Sequence, residues 1–193
     1  MKFRILLLLL AIILYMGETL AQSFLAKRDN TTATNAVVVF PGQSGKQAVL
    51  RTLDATGDNA DAVAQLQSGV YVTRLTAAAG TSGTNLTVTS SSNFGTTYPI
   101  VIQRSDGTCT WHLVYAAGTN AVYTTAAIGT AASSGDYVWY MSHVATNAIA
   151  SATVRRDGAL WAGQVRAPLA VRVYTGSGTA ERINNAVVEY VDN

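Results

Sequence analysis

Alternating apolar and polar positions dominate residues 85–141. Short alternating runs in this stretch are separated by clusters rich in Ser, Asn, Asp and Gly. Alternation with a period of two is typical of strands that bury one face, and such clusters favour tight turns. The stretch therefore predicts successive antiparallel strands. The pattern extends to both sides, and no helical period of any length occurs beyond the first 21 residues.

Several turn signals divide this predicted sheet. Asp106-Gly107 lies between two alternating runs and predicts a hairpin, and Asp157-Gly158 repeats that signal. Gln67-Ser68-Gly69 predicts another turn. Residues 77–84 form a connector rich in Gly, Ser and Thr. That connector marks the alternative of two smaller β units, whereas one domain over residues 36–193 is the main prediction.

The composition agrees with a β-rich domain. Charged residues make up 12% of the 193-residue chain, about half the roughly 25% that is usual. Hydrophobic residues make up 49%, which argues against disorder. Abundant Thr, Val and Tyr favour strands. We predict an all-β, mainly antiparallel sandwich or barrel-like domain, with a jelly roll among the topologies that fit.

Residues 1–21 have the features of a signal peptide. Lys2 and Arg4 precede an apolar run over residues 5–16, and small residues then suit cleavage before Gln22. The run is shorter than the about 20 apolar residues of a membrane-spanning helix. The sequence therefore predicts a secreted or cell-surface protein with no membrane span after processing.

A polar segment and an apolar strand follow the predicted leader. Residues 22–35 are polar and weakly patterned, which predicts a flexible arm. The next run is continuously apolar, as in a strand covered on both faces. It is either the first strand of its own domain or a strand that completes the sheet of a neighbouring subunit. The assembly residues of this second hypothesis are Val37, Val38, Val39 and Phe40.

The charge pattern excludes one class of partner and one motif. The formal net charge is +2, and no block of basic residues occurs, so we expect no nucleic-acid binding. Residues 42–46, GQSGK, suggest a phosphate-binding loop. However, only two residues separate the glycines and Gln47 follows Lys46, so the spacing is wrong. A turn is the better interpretation.

Three acidic residues are the weak candidates for a metal site. Asp54, Asp58 and Asp61 carry the carboxylate oxygens that calcium prefers. Their spacing does not match the helix-loop-helix calcium motif, and no Glu closes the loop. A turn capped by its own Asp and Asn side chains is the alternative. We expect no metal or other cofactor, with calcium as the exception to test.

The residues that catalysis would need are few. Cys109 is the single cysteine, so no internal disulfide forms, and a nucleophilic role would require His112 or His143. On an extended strand, His112 lies on the face opposite to Cys109. No zinc set and no Gly-x-Ser-x-Gly motif is present, and carboxylates for sugar hydrolysis are scarce. We predict that the protein is not an enzyme, and a secreted hydrolase is the third-ranked alternative.

Aromatic residues on predicted strands are the candidates for a binding surface. Tyr137 and Trp139 share one face of a strand, while Val138 and Tyr140 share the other. One face would pack in the core, and the other would present rings to a glycan or a surface partner; packing of both faces is the alternative. The candidate ligand-binding residues are Trp111, Tyr137, Trp139, Tyr140 and Trp161.

A resemblance to known proteins covers about a third of the chain. Residues 85–141 resemble a recurrent β-module of phage tail and virion surface proteins and of some exported bacterial proteins. Trp139 departs from that pattern, where the closing strand has Tyr. The matching residues are Leu86, Val88, Phe94, Ile100, Ile102, Asp106, Gly107, Gly135, Asp136 and Val138. The resemblance implies a structural or interaction role and transfers no catalytic residue.

These observations favour a non-enzymatic structural function. We expect an exported subunit that associates with copies of itself in an extracellular or surface assembly such as a filament, appendage or coat. Low charge leaves strand edges unprotected, which favours association by strand pairing. The alternatives are an adhesin-like module that binds a glycan or another surface ligand, and a virion tail or decoration protein. The predicted signal peptide favours the cell surface over the virion.

Overall fold

The computed structural model describes residues 23–33, 35–57, 61–148, 153–174 and 181–192, and it is all-β. No helix occurs within these ranges, and every described strand pairing is antiparallel. The predicted fold class is therefore confirmed. The described strands are β1 (Ser23–Ala33), β2 (Asn35–Phe40), β3 (Lys46–Thr56), β4 (Val63–Arg74), β5 (Asn85–Thr87), β6 (Ile100–Gln103), β7 (Cys109–His112), β8 (Val114–Ala117), β9 (Ala121–Thr124), β10 (Tyr137–Ala148), β11 (Thr153–Val165), β12 (Leu169–Tyr174) and β13 (Glu181–Asp192).

The strands form three sheets around two large hydrophobic cores. Their orders are β1-β13-β3-β11, β2-β12-β4-β10-β6-β7 and β5-β9-β8. The first core joins the four-stranded and six-stranded sheets through side chains such as Phe40, Leu50, Leu66 and Val188. The second core lies between the six-stranded sheet and the three-stranded sheet. It contains Leu75, Leu86, Val88, Phe94, Ile100, Ile102, Val114, Val122, Ile128, Val138 and Tyr140.

The six-stranded sheet curls into a nearly closed, barrel-like shape. Gly42, just after β2, donates its N–H to Gln103 Oε1 at 3.0 Å, and Gln103 Nε2 donates to the Gly42 carbonyl at 2.8 Å. The side-chain amide thus supplies the two hydrogen bonds that a neighbouring strand would supply. A third apolar cluster, with Val101 and Met141 at its centre, covers the face opposite to the two large cores.

Of the three turns predicted at Asp106-Gly107, Asp157-Gly158 and residues 67–69, one is confirmed and two are wrong. Asp106-Gly107 joins β6 to β7, with Gly107 at a φ of +84°. In contrast, β4 continues through residues 67–69 and β11 continues through Asp157-Gly158. Both strands absorb the turn-like residues as irregularities of register, at Met141↔Gly69 and between Asp157 and Trp161. A bulge accommodates small residues without ending a strand, so the local signal was misleading.

The N-terminal part of the described chain is also paired. Ser23–Ala33, which falls in the predicted arm, forms β1 on β13, with Ser23 opposite Tyr190. β2 pairs with β12 of the same chain and buries Val38 and Phe40 in the first core. β13 has 12 residues, and pairing with it gives β1 backbone hydrogen bonds that the sequence pattern of β1 does not predict. The predicted signal peptide, residues 1–21, lies outside the described residues.

Gly42 provides a test of the closure. A Cβ on Gly42 would lie 2.1 Å from the backbone oxygen of Arg166. That oxygen cannot move unless the connection between β11 and β12 is displaced. We expect Gly42→Ala to lower the free energy of unfolding by about 2–3 kcal/mol. Urea denaturation followed by tryptophan fluorescence measures this loss.

Gly80→Ala is the matched control, because no atom lies within 4 Å of a Cβ added there. It should change stability by no more than about 0.5 kcal/mol. Equal stability of the two variants would show that Gly42 does not pack against the Arg166 backbone as described.

Candidate functional site

The predicted aromatic residues do not form one surface. The structure has the expected division of β10, because Val138 and Tyr140 are buried in the second core while Tyr137 and Trp139 face the other way. Trp161 packs against the first core instead. Of the five candidates, Tyr137 is the most exposed at 37%, and its hydroxyl accepts a hydrogen bond from Arg74 Nη2 at 2.6 Å.

Trp111 and a chain of polar side chains lie inside the six-stranded sheet. Trp111 Nε1 donates to Gln67 Oε1 at 2.8 Å, and Gln67 Nε2 donates to Gln65 Oε1 at 2.8 Å. Gln65 Nε2 lies 3.0 Å from His143 Nδ1, which acts as the acceptor. The Arg172 guanidinium lies 5.1 Å from the Trp111 ring centre. Both glutamines are buried, so this chain fixes the indole rather than offering it to a ligand.

The candidate catalytic residues are not brought together. Cys109 lies with Trp111 against the third cluster, whereas His112 Nε2 lies 2.9 Å from Thr110 Oγ1 on the other face of β7. Burial, and secondarily Arg104, lowers the pKa of His112 to about 4. Burial and then Arg172 lower the pKa of His143. Each histidine is therefore a weak base, and each forms a hydrogen bond with a side chain of the six-stranded sheet.

The acidic candidates also have separate roles where they are described. Asp54 lies on β3, and its Oδ1 accepts a hydrogen bond from Asn184 Nδ2 at 3.0 Å. Asp61 is exposed, and Asp58 lies outside the described residues. Within the described part of the chain, no group of three or more His, Cys, Asp or Glu side chains is placed to hold a metal ion.

A groove runs beside the second half of β4, and we call it the β4 groove. Its volume is about 350 Å³. One wall is the edge of β4 and the other is the segment 89–94. The residues lining it are Tyr71, Val72, Thr73, Arg74, Thr89, Ser90, Ser92, Asn93 and Phe94. The groove exists because β12 pairs with β4 only as far as Ser68, which leaves the following residues of β4 without that neighbour.

The floor of the β4 groove is a fixed group of aromatic rings. Tyr71 is 48% exposed and stacks on Tyr140 with 6.4 Å between ring centres. Phe94 packs against the same ring at 5.2 Å. Neither Tyr71 nor Phe94 is among the candidate site residues predicted from the sequence. The alternating run 70–74 indicates a strand, but only the tertiary fold brings it against residues 89–94.

A second surface is unusual in its lack of charge. We define the charge-poor lobe as residues 75–135, which contain the three-stranded sheet. Its only Asp, Glu, Lys or Arg residues are Arg104 and Asp106. Arg104 is 7% exposed and donates to the carbonyls of Thr130 and Ala131, each at 2.8 Å. Asp106 is therefore the one exposed charge of the lobe.

An apolar patch lies on this lobe at β8, and we call it the β8 patch: Leu113, Tyr115 and Tyr123. Leu113 is 40% exposed and Tyr115 58% exposed. The rings of Tyr115 and Tyr123 lie 6.0 Å apart. β8 is the terminal strand of its sheet, and β9 is its one partner among the described strands. Exposed apolar groups thus coincide with an open strand edge.

Comparison with known proteins assigns no family to this chain. No family model matches the chain. No curated protein matches it either. Among solved structures it is similar to a chain of "Structure of infectious bursal disease virus Gx strain", at 13% identity and a TM-score of 0.14. The similarity covers 89% of this chain and 42% of the viral chain, and a TM-score this low carries no argument. The resemblance to virion modules is not confirmed and stays a prediction.

The low pKa of His112 predicts a loss of stability in acid. The unfolded chain binds a proton near pH 6.5, whereas the folded protein does not do so until about pH 4. Unfolding is therefore favoured increasingly as the pH falls through this window. We expect this residue to account for roughly 1–2 kcal/mol of the loss, allowing for its partial exposure. Urea titrations across the window, with and without His112→Gln, measure the contribution.

His143→Gln is the comparison variant, since it leaves His112 in place. It should retain most of the acid-dependent loss, while His112→Gln should flatten it. An unchanged slope in the His112 variant would refute the assignment.

Proposed function

We propose that the protein is an exported, non-enzymatic structural subunit that associates with copies of itself through the charge-poor lobe. The observation that carries this proposal is the β8 patch, where exposed Tyr115 lies on the terminal strand β8 and exposed Leu113 directly precedes that strand. Soluble proteins usually protect such edges with charged residues, and long exposed apolar surfaces commonly mark protein contacts. Here the 61 residues of the lobe provide one exposed charge.

A second copy is the partner that this surface fits best. An open antiparallel strand edge is self-complementary, because two copies related by a two-fold axis pair β8 with β8. Backbone hydrogen bonds would set the register, and Tyr115 of each copy would pack against the neighbouring lobe. No charge of the lobe other than Asp106 opposes the approach. The predicted signal peptide at residues 1–21 supports an assembly outside the cell or at its surface.

The sheets also provide other edges for larger assemblies. β1 and β11 are the terminal strands of the four-stranded sheet, and both exceed ten residues. A subunit with two kinds of terminal strand can extend beyond a dimer, since contacts that do not close generate a filament. The lobe contact is the one that we propose first, because exposed apolar side chains coincide there with a terminal strand.

A charge placed on the β8 patch should prevent association. We expect the secreted protein to form dimers or larger species at micromolar to millimolar concentration. Tyr115→Lys should shift it to monomer, because a lysine on an edge strand repels its symmetry-related copy. Sedimentation velocity, with electron microscopy of concentrated samples, measures the change.

Val165→Lys is the matched control, since Val165 is 36% exposed on β11, outside the lobe. It should leave the lobe contact intact. Association that survives Tyr115→Lys and is lost in Val165→Lys would contradict the proposal and place the contact on β11. A monomer under all conditions would also contradict it.

A further inference from the structure

Hydrogen bonds limit the free edge of β4 beside the groove at both ends. At one end, Gly69 donates its N–H to the Pro168 carbonyl at 3.1 Å. At the other, Thr89 donates its N–H to the Arg74 carbonyl at 3.0 Å. Five residue steps separate these hydrogen bonds, or about 17 Å of strand. The groove therefore admits a short ligand and excludes one that continues along the sheet in either direction.

The strand edge offers a donor and an acceptor to the groove. The Arg74 carbonyl points away from β10, because it bonds to Thr89. In an antiparallel ladder, the N–H and C=O of every second residue point to the same side. The N–H and C=O of Val72 therefore also point away from β10, into the groove. A ligand with both donor and acceptor groups can use this pair.

Apart from Arg74, the remaining lining is uncharged. Ser90 Oγ and Ser92 Oγ lie 3.3 Å apart on the opposite wall, beside the Asn93 amide. Arg74 is the one charged residue of the lining, and its guanidinium lies 4.5 Å from the ring centre of Tyr137 on β10. β10 is on the side of β4 opposite to the groove. The positive charge of Arg74 is thus directed away from the β4 groove.

We propose that the β4 groove binds a short, uncharged saccharide. Each property of the groove matches a property of such a ligand. Sugar hydroxyls both donate and accept, as the Val72 backbone and the serine hydroxyls require. The apolar C–H face of a sugar ring packs on an aromatic ring, and Tyr71 presents one held from below by Tyr140. The volume of about 350 Å³ lies within the range of small-ligand sites.

A peptide fits this groove less well. Strand addition to β4 would place the peptide in the line already occupied by residues 88–89 at one end and by Pro168 at the other. Its ends would have to leave the sheet within a few residues, which removes most of the ladder that gives strand addition its affinity. A saccharide of two or three rings has no such constraint.

Saturation-transfer NMR and calorimetry on the secreted protein test the proposal. The neutral probes are maltotriose, cellotriose, chitotriose and mannotriose, each at millimolar concentration. The comparison probes are trigalacturonate, which is anionic, and the peptide Thr-Val-Thr-Val. We expect binding of at least one neutral trisaccharide and a loss of about tenfold or more in affinity in Tyr71→Ala, which removes the ring that the sugar packs on.

Tyr115→Ala is the matched control, since it truncates an exposed tyrosine outside the groove and should leave the affinity unchanged. Thermal unfolding of both variants verifies that they fold. A second variant, Ser90→Val, removes a groove hydroxyl without touching the aromatic floor and should also weaken binding.

Four results would overturn the proposal. They are no binding of any neutral trisaccharide, binding of trigalacturonate alone, binding of the peptide alone, and saccharide binding that survives both Tyr71→Ala and Ser90→Val. Because Tyr115 lies in the β8 patch, its variant also separates saccharide binding from self-association.

Discussion

The curl of the six-stranded sheet is the constraint on which the rest of the structure depends. One face of this sheet supports both large cores, and the other encloses the third cluster. β4 shows the consequence most clearly. Leu66 belongs to the first core, Gln67 belongs to the enclosed polar chain, and Val70 packs against the second core. A change of register in this one strand would therefore misplace side chains in all three environments.

Charge is distributed unequally between the four-stranded sheet and the charge-poor lobe. The four-stranded sheet holds the ion pair between Arg51 and Glu189, whose carboxylate side chain is 4% exposed, and the weaker pair of Lys46 and Asp192 at 3.9 Å. A buried carboxylate needs its partner, because an unpaired charge away from water is costly. The charge-poor lobe buries one charge, Arg104, which donates to the carbonyls of Thr130 and Ala131. The described ion pairs thus lie on the four-stranded sheet, whereas the lobe presents a nearly neutral surface.

The sequence predicts the fold class and several local features because these depend on neighbouring residues. Alternation along β10 correctly divides Tyr137 and Trp139 from Val138 and Tyr140, and Asp106-Gly107 forms a hairpin. The continuous course of β4 was not predictable, since a turn-like triplet becomes a bulge only when a partner strand is present. The β4 groove was not predictable for the same reason. It forms where β12 ends and residues 89–94 approach β4, and both features depend on the tertiary structure.

The order in which strands pair has a kinetic consequence. Residues 75–135 form an insertion between β4 and β10, and its hairpins join strands that are close in the chain. The four-stranded sheet instead joins distant segments, as in the pairing of Arg51 with Glu189 across 138 residues. Loop closure over such distances is slow, whereas local contacts form early. The insertion would therefore organise first and bring β4 beside β10. β13 would complete the first core late, so the folding chain would expose its inner apolar faces until β13 docks.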